Sequence, residues 1–501
     1  MLRRLGSIAL LSLALALPPF APAHGQAIGA RALGAASISR DGAARLDALI
    51  QRLAPPEAHV GISVLRYATG QVYYEREAHK LFTPASIHKL ATAGAALSRL
   101  GIGRRFQTRV VTAALLENGV LHGDLVLKGD GDPMLMPADL DRLAAQVVAA
   151  GVREVVGDMV GDATVFAPEA RGAAGWAIDD VGQAYAATVS GLGLNRNALV
   201  VTVSPGTRGG EALKVELTPA SRYVQVRNRA TTLAPGEQGT LGIGFVTTGT
   251  PWTETLSLTG GLPLGTESQV STMAMTEPAR FTLIAFKEAL VRQGVRWRGQ
   301  ARLGPAPASA RTLASHASPP LADITGEMLR ESDNLIAETL LMHVGAKGRG
   351  GPGTWDKGVS ELRRFLEQAG WKADTFRLAD GSGLSRYNAV SPAHVTRLLH
   401  HMPTQGAAYP ALLVGLPVCG VSGTLKGRLA TPGVRGRLRA KTGTMSGVSS
   451  LAGYLDTRDG QTLVLAIVAN GFVGSPGKLR ALQDGVVELL ANPDSGLTPS
   501  S

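Results

Sequence analysis

Apolar residues recur along this chain with two periods, and the switches between them mark out its organisation. In residues 43–53 they fall at Leu46, Leu49, Ile50 and Leu53, the spacing of one helix face. Segments 60–67 and 71–76 read as two strands joined by Ala68-Thr69-Gly70, a hairpin. Thr83 and Pro84 precede a predicted helix over about 86–100, stopped by Gly101. Near the other end, 437–445, 450–456 and 462–469 are three strand candidates, separated by turns at Ser446-Gly447 and 457–461, and 478–491 has the pattern of a closing amphipathic helix. Two strands from the front and three from the back make one five-stranded antiparallel sheet flanked by helices. A sheet drawn from both ends of a chain implies that something between them is inserted.

The texture of the chain agrees. From about Gly103 to Glu277 it becomes short β-type runs between glycines: 108–112, 124–128, 155–162, 199–203, 214–217 and 223–228. Helical spacing returns at 281–294, a Pro/Ala/Ser-rich linker is expected over 305–320, and helical stretches follow at 321–344 and 355–369. The expected fold class is α+β: a domain in two parts, 28–103 and 277–501, around a mostly-β region at 104–276 that forms one or two domains.

Composition adds a compartment. Arg3 and Arg4, an apolar run over 8–17 and Ala21-Pro22-Ala23 (or residues 25–27) form an export signal with its cleavage site, so residues 1–27 are expected to be removed and the protein to be periplasmic. The run is too short for a comfortable membrane span, and no other segment is long and apolar enough. Cys419 is the single cysteine, which excludes an intramolecular disulfide; its apolar surroundings over 412–421 suit packing. The net charge of +11 suits polyanionic envelope polymers or anionic lipid. Nucleic acid is a poor partner, because aromatics make up 5% and do not interleave with the basic residues. The sequence calls for no cofactor or metal, and homo-oligomerisation stays open.

Three short strings carry the chemistry: Ser86-Ile87-His88-Lys89, Ser332-Asp333-Asn334 and Lys441-Thr442-Gly443. Ser-x-x-Lys alone is weak, and a second copy at Ser475-Pro476-Gly477-Lys478 reads as a loop. The three in order are specific. A serine hydroxyl needs a base. Lys89 lies three residues on, on the same helical face, and works as a base only if neutral, which burial and a nearby cation such as Lys441 would favour. A relay through Ser332 is the alternative first base. At a helix start Ser86 meets the positive end of the helix dipole. Ser332 and Asn334 sit oddly inside an apolar-periodic helix, so a local break is expected that points both at one cleft wall, Ser332 to relay a proton to the leaving amine and Asn334 to hold a substrate amide. Asp333 is expected to point away. Lys441, Thr442, Gly443 and Thr444 form a strand edge: Lys441 and Thr442 for a carboxylate, Gly443 for close approach of a peptide, and the Ser86 and Thr444 amides as oxyanion donors.

At these residues the chain resembles the low-molecular-mass class C penicillin-binding proteins, the D-alanyl-D-alanine carboxypeptidases and endopeptidases with a large insertion between their first two motifs. Gly129-Asp130-Gly131-Asp132-Pro133, residues 380–386 and Gly423-Thr424-Leu425 extend the likeness. It implies a β-lactamase-like catalytic domain and an acyl-enzyme on Ser86, formed with peptidoglycan stem peptides or β-lactam antibiotics. It also implies recognition of a diaminopimelate side chain by Asp180, Tyr185 and Arg386. Ser422 departs from the family, which usually has Asp there. A class A β-lactamase would have a shorter gap between the first two motifs, and a non-catalytic scaffold would be expected to lose Ser86, Lys89 or Lys441. A histidine-based hydrolase could draw on His394, His400 or His401, but no Gly-x-Ser-x-Gly elbow accompanies them.

Overall fold

The computed structural model describes residues 37–168, 172–246 and 252–492. The export signal expected over 1–27 lies outside the described residues.

The five-stranded antiparallel sheet is present, in the order Leu438–Met445, Val448–Asp456, Thr462–Asn470, His59–Arg66, Val72–Arg76. Strands from the two ends of the chain are neighbours at its centre, with His59 opposite Asn470 and Arg66 opposite Leu463. Thr462–Asn470 is apolar almost throughout, because both faces are covered. Leu463, Leu465 and Ile467 pack with Leu46, Leu49, Leu482 and Val486 of helices Arg40–Leu53 and Gly477–Ala491. Val464, Ala466 and Val468 face the helical side, with Leu90, Leu97, Ile336, Leu340 and Phe365. Each such side chain taken out of water contributes roughly 1.5–3 kcal/mol, so both layers hold the sheet. The edge strand Leu438–Met445 is bridged on its outer side only near its start, where Val418 pairs with Arg439, and leaves the outer edge beyond Lys441 to the site.

The break expected around Ser332 is there. Helix Leu321–Glu331 ends at Ser332, which takes a left-handed conformation (φ 62°), and helix Asn334–Arg349 begins with Asp333 accepting from the Ile336 amide at 2.9 Å. The helix expected from Ser86 instead opens as a 3₁₀ turn, Ala85–His88, before Lys89–Leu100.

The inserted region runs further than the border expected at 276/277. Helix Pro278–Arg292 packs Phe281, Phe286 and Leu290 into the core shared by Leu121, Leu143, Val155 and Leu199. Strand Arg311–Ala317, inside the expected linker, pairs antiparallel with Gln107–Thr112. Local composition there favoured a linker; pairing with a strand distant in sequence decided otherwise. One sheet of the insertion runs Ala301–Leu303, Met159–Asp162, Leu125–Lys128, Gln107–Thr112, Arg311–Ala317. The chain returns to the helical layer only at Leu321.

Candidate active site

Five segments converge on one cavity of about 330 Å³: the turn bearing Ser86, the helix junction with Ser332 and Asn334, the edge strand at Thr444 and Met445, the loop with Gly383 and Arg386, and an insertion segment with Asp180 and Tyr185. The only carboxylate among the described residues lining it is Asp180.

Lys89 Nζ lies 2.8 Å from Ser86 Oγ, 2.5 Å from Asn334 Oδ1 and 2.8 Å from the Ser382 carbonyl oxygen. Asn334 is held in that orientation because its Nδ2 donates to the Tyr185 carbonyl at 2.7 Å. Lys89 is completely buried, and that desolvation lowers its pKa to about 8, against the opposing pull of Asp380, Glu338 and Asp333. Lys441 Nζ donates to Ser332 Oγ and to the Thr442 carbonyl, both at 2.8 Å. Burial, then the charge of Lys89, drives Lys441 well below the ordinary lysine range. Burial is the first cause of the lowering in both lysines, and the two charges repel each other.

Two expected roles on the edge strand change. Lys441 is fully buried, so it sets the field behind the cavity, while Thr442 Oγ1, bonded to Thr424 Oγ1 at 2.7 Å, is on the exposed side. Gly443 serves the protein's own packing. A Cβ there would lie 2.2 Å from Ser450 Oγ, 2.8 Å from the Ser86 amide nitrogen and 3.0 Å from the Pro84 carbonyl oxygen. Only glycine lets the strand lie this close to the Ser86 turn. Tyr185 OH donates to Asp180 at 2.9 Å, and Arg386 donates to the Ser446 carbonyl at 3.1 Å.

Sequence reasoning missed the group that supports Lys89. Glu338, fully buried one helical turn beyond Asn334, accepts from the amides of Gly381 (2.9 Å) and Ser382 (2.7 Å) and from Trp355 Nε1 (2.9 Å). Burial, then the charge of Asp380, raises its pKa. Asp380 accepts from the Gly383 and Ser385 amides, from Asn388 Nδ2 and, across to the insertion, from Trp176 Nε1 at 3.0 Å. Together the two acids fix the loop whose Ser382 carbonyl meets Lys89. An acid within the apolar run 335–344 was the available signal. His88 is buried against the Asp380 carbonyl, and burial lowers its pKa, which suits a neutral packing residue.

The model of the D-Ala-D-Ala carboxypeptidase 3 (S13) family matches residues 43–493. A D-alanyl-D-alanine carboxypeptidase of Actinomadura sp. (strain R39) is 37% identical over 460 residues, covering 89% of this chain and 84% of that one. D-alanyl-D-alanine carboxypeptidase DacB of Haemophilus influenzae is 26% identical over 426 residues, 85% of this chain and 88% of that one. The fold matches the crystal structure of penicillin binding protein 4 (dacB) from Haemophilus influenzae with a TM-score of 0.81 at 24% identity, over 89% of this chain and 99% of that one. That protein has also been crystallised with a β-lactam. With nearly its whole described length matched, the chain belongs to the D-Ala-D-Ala carboxypeptidase 3 (S13) family, as a low-molecular-mass class C penicillin-binding protein and a serine-type peptidase.

Proposed function

We propose that this chain hydrolyses D-alanyl-D-alanine bonds of peptidoglycan stem peptides through an acyl-enzyme on Ser86, and that β-lactams acylate the same hydroxyl. The observation that carries this is the environment of Lys89. A neutral amine has two N–H groups and one lone pair. The carbonyl oxygens of Asn334 and Ser382 can only accept, so they take both N–H groups, and the lone pair is left facing the Ser86 hydroxyl. With a pKa of about 8, roughly a tenth of Lys89 is neutral at pH 7, against fewer than about one in a thousand for an ordinary lysine.

The Ser86 oxygen attacks the carbonyl carbon of the penultimate D-alanine, and its proton passes to Lys89. The developing oxyanion is met by the amides of Ser86 and Thr444. Ser332 Oγ, accepting from Lys441, donates its own hydrogen to the leaving amine as the C–N bond breaks and recovers the proton that Lys89 took from Ser86. Water then attacks the acyl carbon and gives a proton to Lys89, which returns it to the Ser86 oxygen as the ester bond breaks. Thr442 and Thr424 hydroxyls, on the exposed side of the edge strand, receive the terminal carboxylate. Asp180 and Arg386, charges of opposite sign lining the same cavity, suit the ammonium and carboxylate ends of a diaminopimelate side chain, with Tyr185 bonded to Asp180. The free sheet edge and the half-exposed Tyr185 leave room for a leaving group larger than one D-alanine, which supports endopeptidase action on cross-links beside carboxypeptidase action. The positive start and apolar run of residues 1–17 support export to the periplasm, where this substrate lies.

Incubation with a labelled penicillin followed by peptide mapping tests the reading. The adduct is expected on Ser86 and absent from Ser86→Ala. Labelling of that variant at the wild-type rate, or an adduct on Ser475, would overturn it.

A further inference from the structure

The inserted region carries a run of three non-glycine residues in the left-handed conformation: Asn195 (φ 52°), Arg196 (φ 57°) and Asn197 (φ 52°). Asparagine tolerates this backbone; arginine does so at a cost. Neighbouring bonds enforce the turn. Asn195 Nδ2 donates to the Ala198 carbonyl and Asn197 Nδ2 to the Thr188 carbonyl, both at 2.8 Å, while the Asn195 amide donates to the Leu135 carbonyl at 2.9 Å. Two bolted asparagines thus hold one strained arginine between them.

Its guanidinium, 26% exposed, reaches out of the insertion to the helix break that carries Ser332 and Asn334. Arg196 Nη2 donates to Glu327 Oε1 at 3.3 Å, on the helix that ends at Ser332, while Nη1, which makes no hydrogen bond, meets Asp333 Oδ2, on the cap of the helix that starts at Asn334, as an ion pair at 3.4 Å. The two contacts therefore fall on opposite sides of the left-handed Ser332. The buried carboxyl of Asp132, in the Gly129-Asp130-Gly131-Asp132-Pro133 segment, also feels the Arg196 charge.

We infer that Arg196 is a positioning residue, a two-ended clamp by which the inserted region fixes the angle of the helix junction and hence the placement of Ser332 and Asn334 beside Ser86 and Lys89. The inference rests on Ser86 being the acylated nucleophile. It gives the insertion a part in the reaction that touches no substrate. The planar fork matters, since a lysine ammonium is a single point charge that cannot hold both ends in a fixed geometry.

Arg196→Lys and Arg196→Met, in the full chain, test it. The acylation rate constant and the non-covalent affinity for a chromogenic penicillin are measured separately, per titrated active site, alongside the melting temperature. Both variants are expected to acylate at least about tenfold more slowly per site, with affinity changed less. An interdomain tie with only a structural role would lower the melting temperature and leave the rate per titrated site untouched. A wild-type rate per site in either variant overturns the clamp; if Arg196→Met does not fold, Arg196→Lys decides alone. Wild-type protein that takes no label from penicillin would instead sink the Ser86 reading.

Discussion

Gly443→Ala tests the spacing between the edge strand and the Ser86 turn without altering any reacting group. The added Cβ meets the Ser86 amide nitrogen at 2.8 Å and the Pro84 carbonyl oxygen at 3.0 Å, where ordinary contact begins at 3.4 Å. Both are backbone atoms that no rotamer change can move. Ser450 Oγ, at 2.2 Å, is itself tied to Pro84 O at 2.7 Å. The edge strand and the nucleophile turn must therefore part, opening the Ser86 contact from 2.8 towards 3.4 Å. As overpacking this costs about 1–3 kcal/mol, which shifts the melting temperature of a fold this size by only a few degrees, roughly. The same displacement pulls apart the two proposed oxyanion donors, the amides of Ser86 and Thr444, which in that role must both sit near about 3 Å from one oxygen. Losing one such donor costs about 10²–10³ in rate, or about 2.7–4 kcal/mol of transition-state stabilisation. The variant should thus melt close to wild type and acylate about 100-fold more slowly, read as the progress of labelled-penicillin incorporation per folded molecule. Adding Ser450→Ala removes the 2.2 Å contact, leaves the two backbone ones, and should not restore the rate. Acylation within about threefold of wild type by a folded Gly443→Ala would refute the argument that strand–nucleophile spacing limits the reaction.

Two further outcomes follow from the buried ionisable groups. Because Lys89 works as a base in its neutral form and its pKa is about 8, acylation should fall about tenfold per unit below pH 8 and level off above it; a flat profile from pH 6 to 9 would rule Lys89 out as first base. In Glu338→Gln the amide cannot accept from all of the Gly381, Ser382 and Trp355 donors, so at least one buried N–H is orphaned at about 1–3 kcal/mol. The variant should melt several degrees lower and acylate more slowly through the loosened Ser382 carbonyl; an unchanged melting curve would show that the loop does not depend on this acid.

What the sequence disclosed and what it hid divide along the distance between partners. Ser86 with Lys89, and Ser332 with Asn334, are local spacings, readable from helix geometry. The two central strands were legible because the runs 60–67 and 462–469 are apolar beyond anything a loop would carry. The border of the insertion was not, because strand Arg311–Ala317 takes its identity from Gln107–Thr112, some 200 residues away. Glu338 and Arg196 were missed for the same reason: each acts on a segment far from itself in sequence, and nothing in its own neighbours announces the contact. Gly443 was noticed but assigned to a substrate, since a sequence does not say which backbone comes close. Asp180, Tyr185 and Arg386 were visible only through family resemblance, and all three line the cavity beside Ser86.

The shared sheet also sets an order of events. A ribosome that has made 430 residues has already made Ser86, Lys89, Ser332 and Asn334. It has made neither the edge strand bearing Lys441 and Thr444 nor the strand that pairs with His59–Arg66. Until those last strands arrive, His59–Arg66 has only its hairpin partner, and the cavity beside Ser86 lacks the edge strand that supplies Thr444 and Met445. The chain is thus silent by construction while it is being made. Its competence appears in a single late step, when its ends meet across several hundred residues, a closure of the kind that makes folding slow.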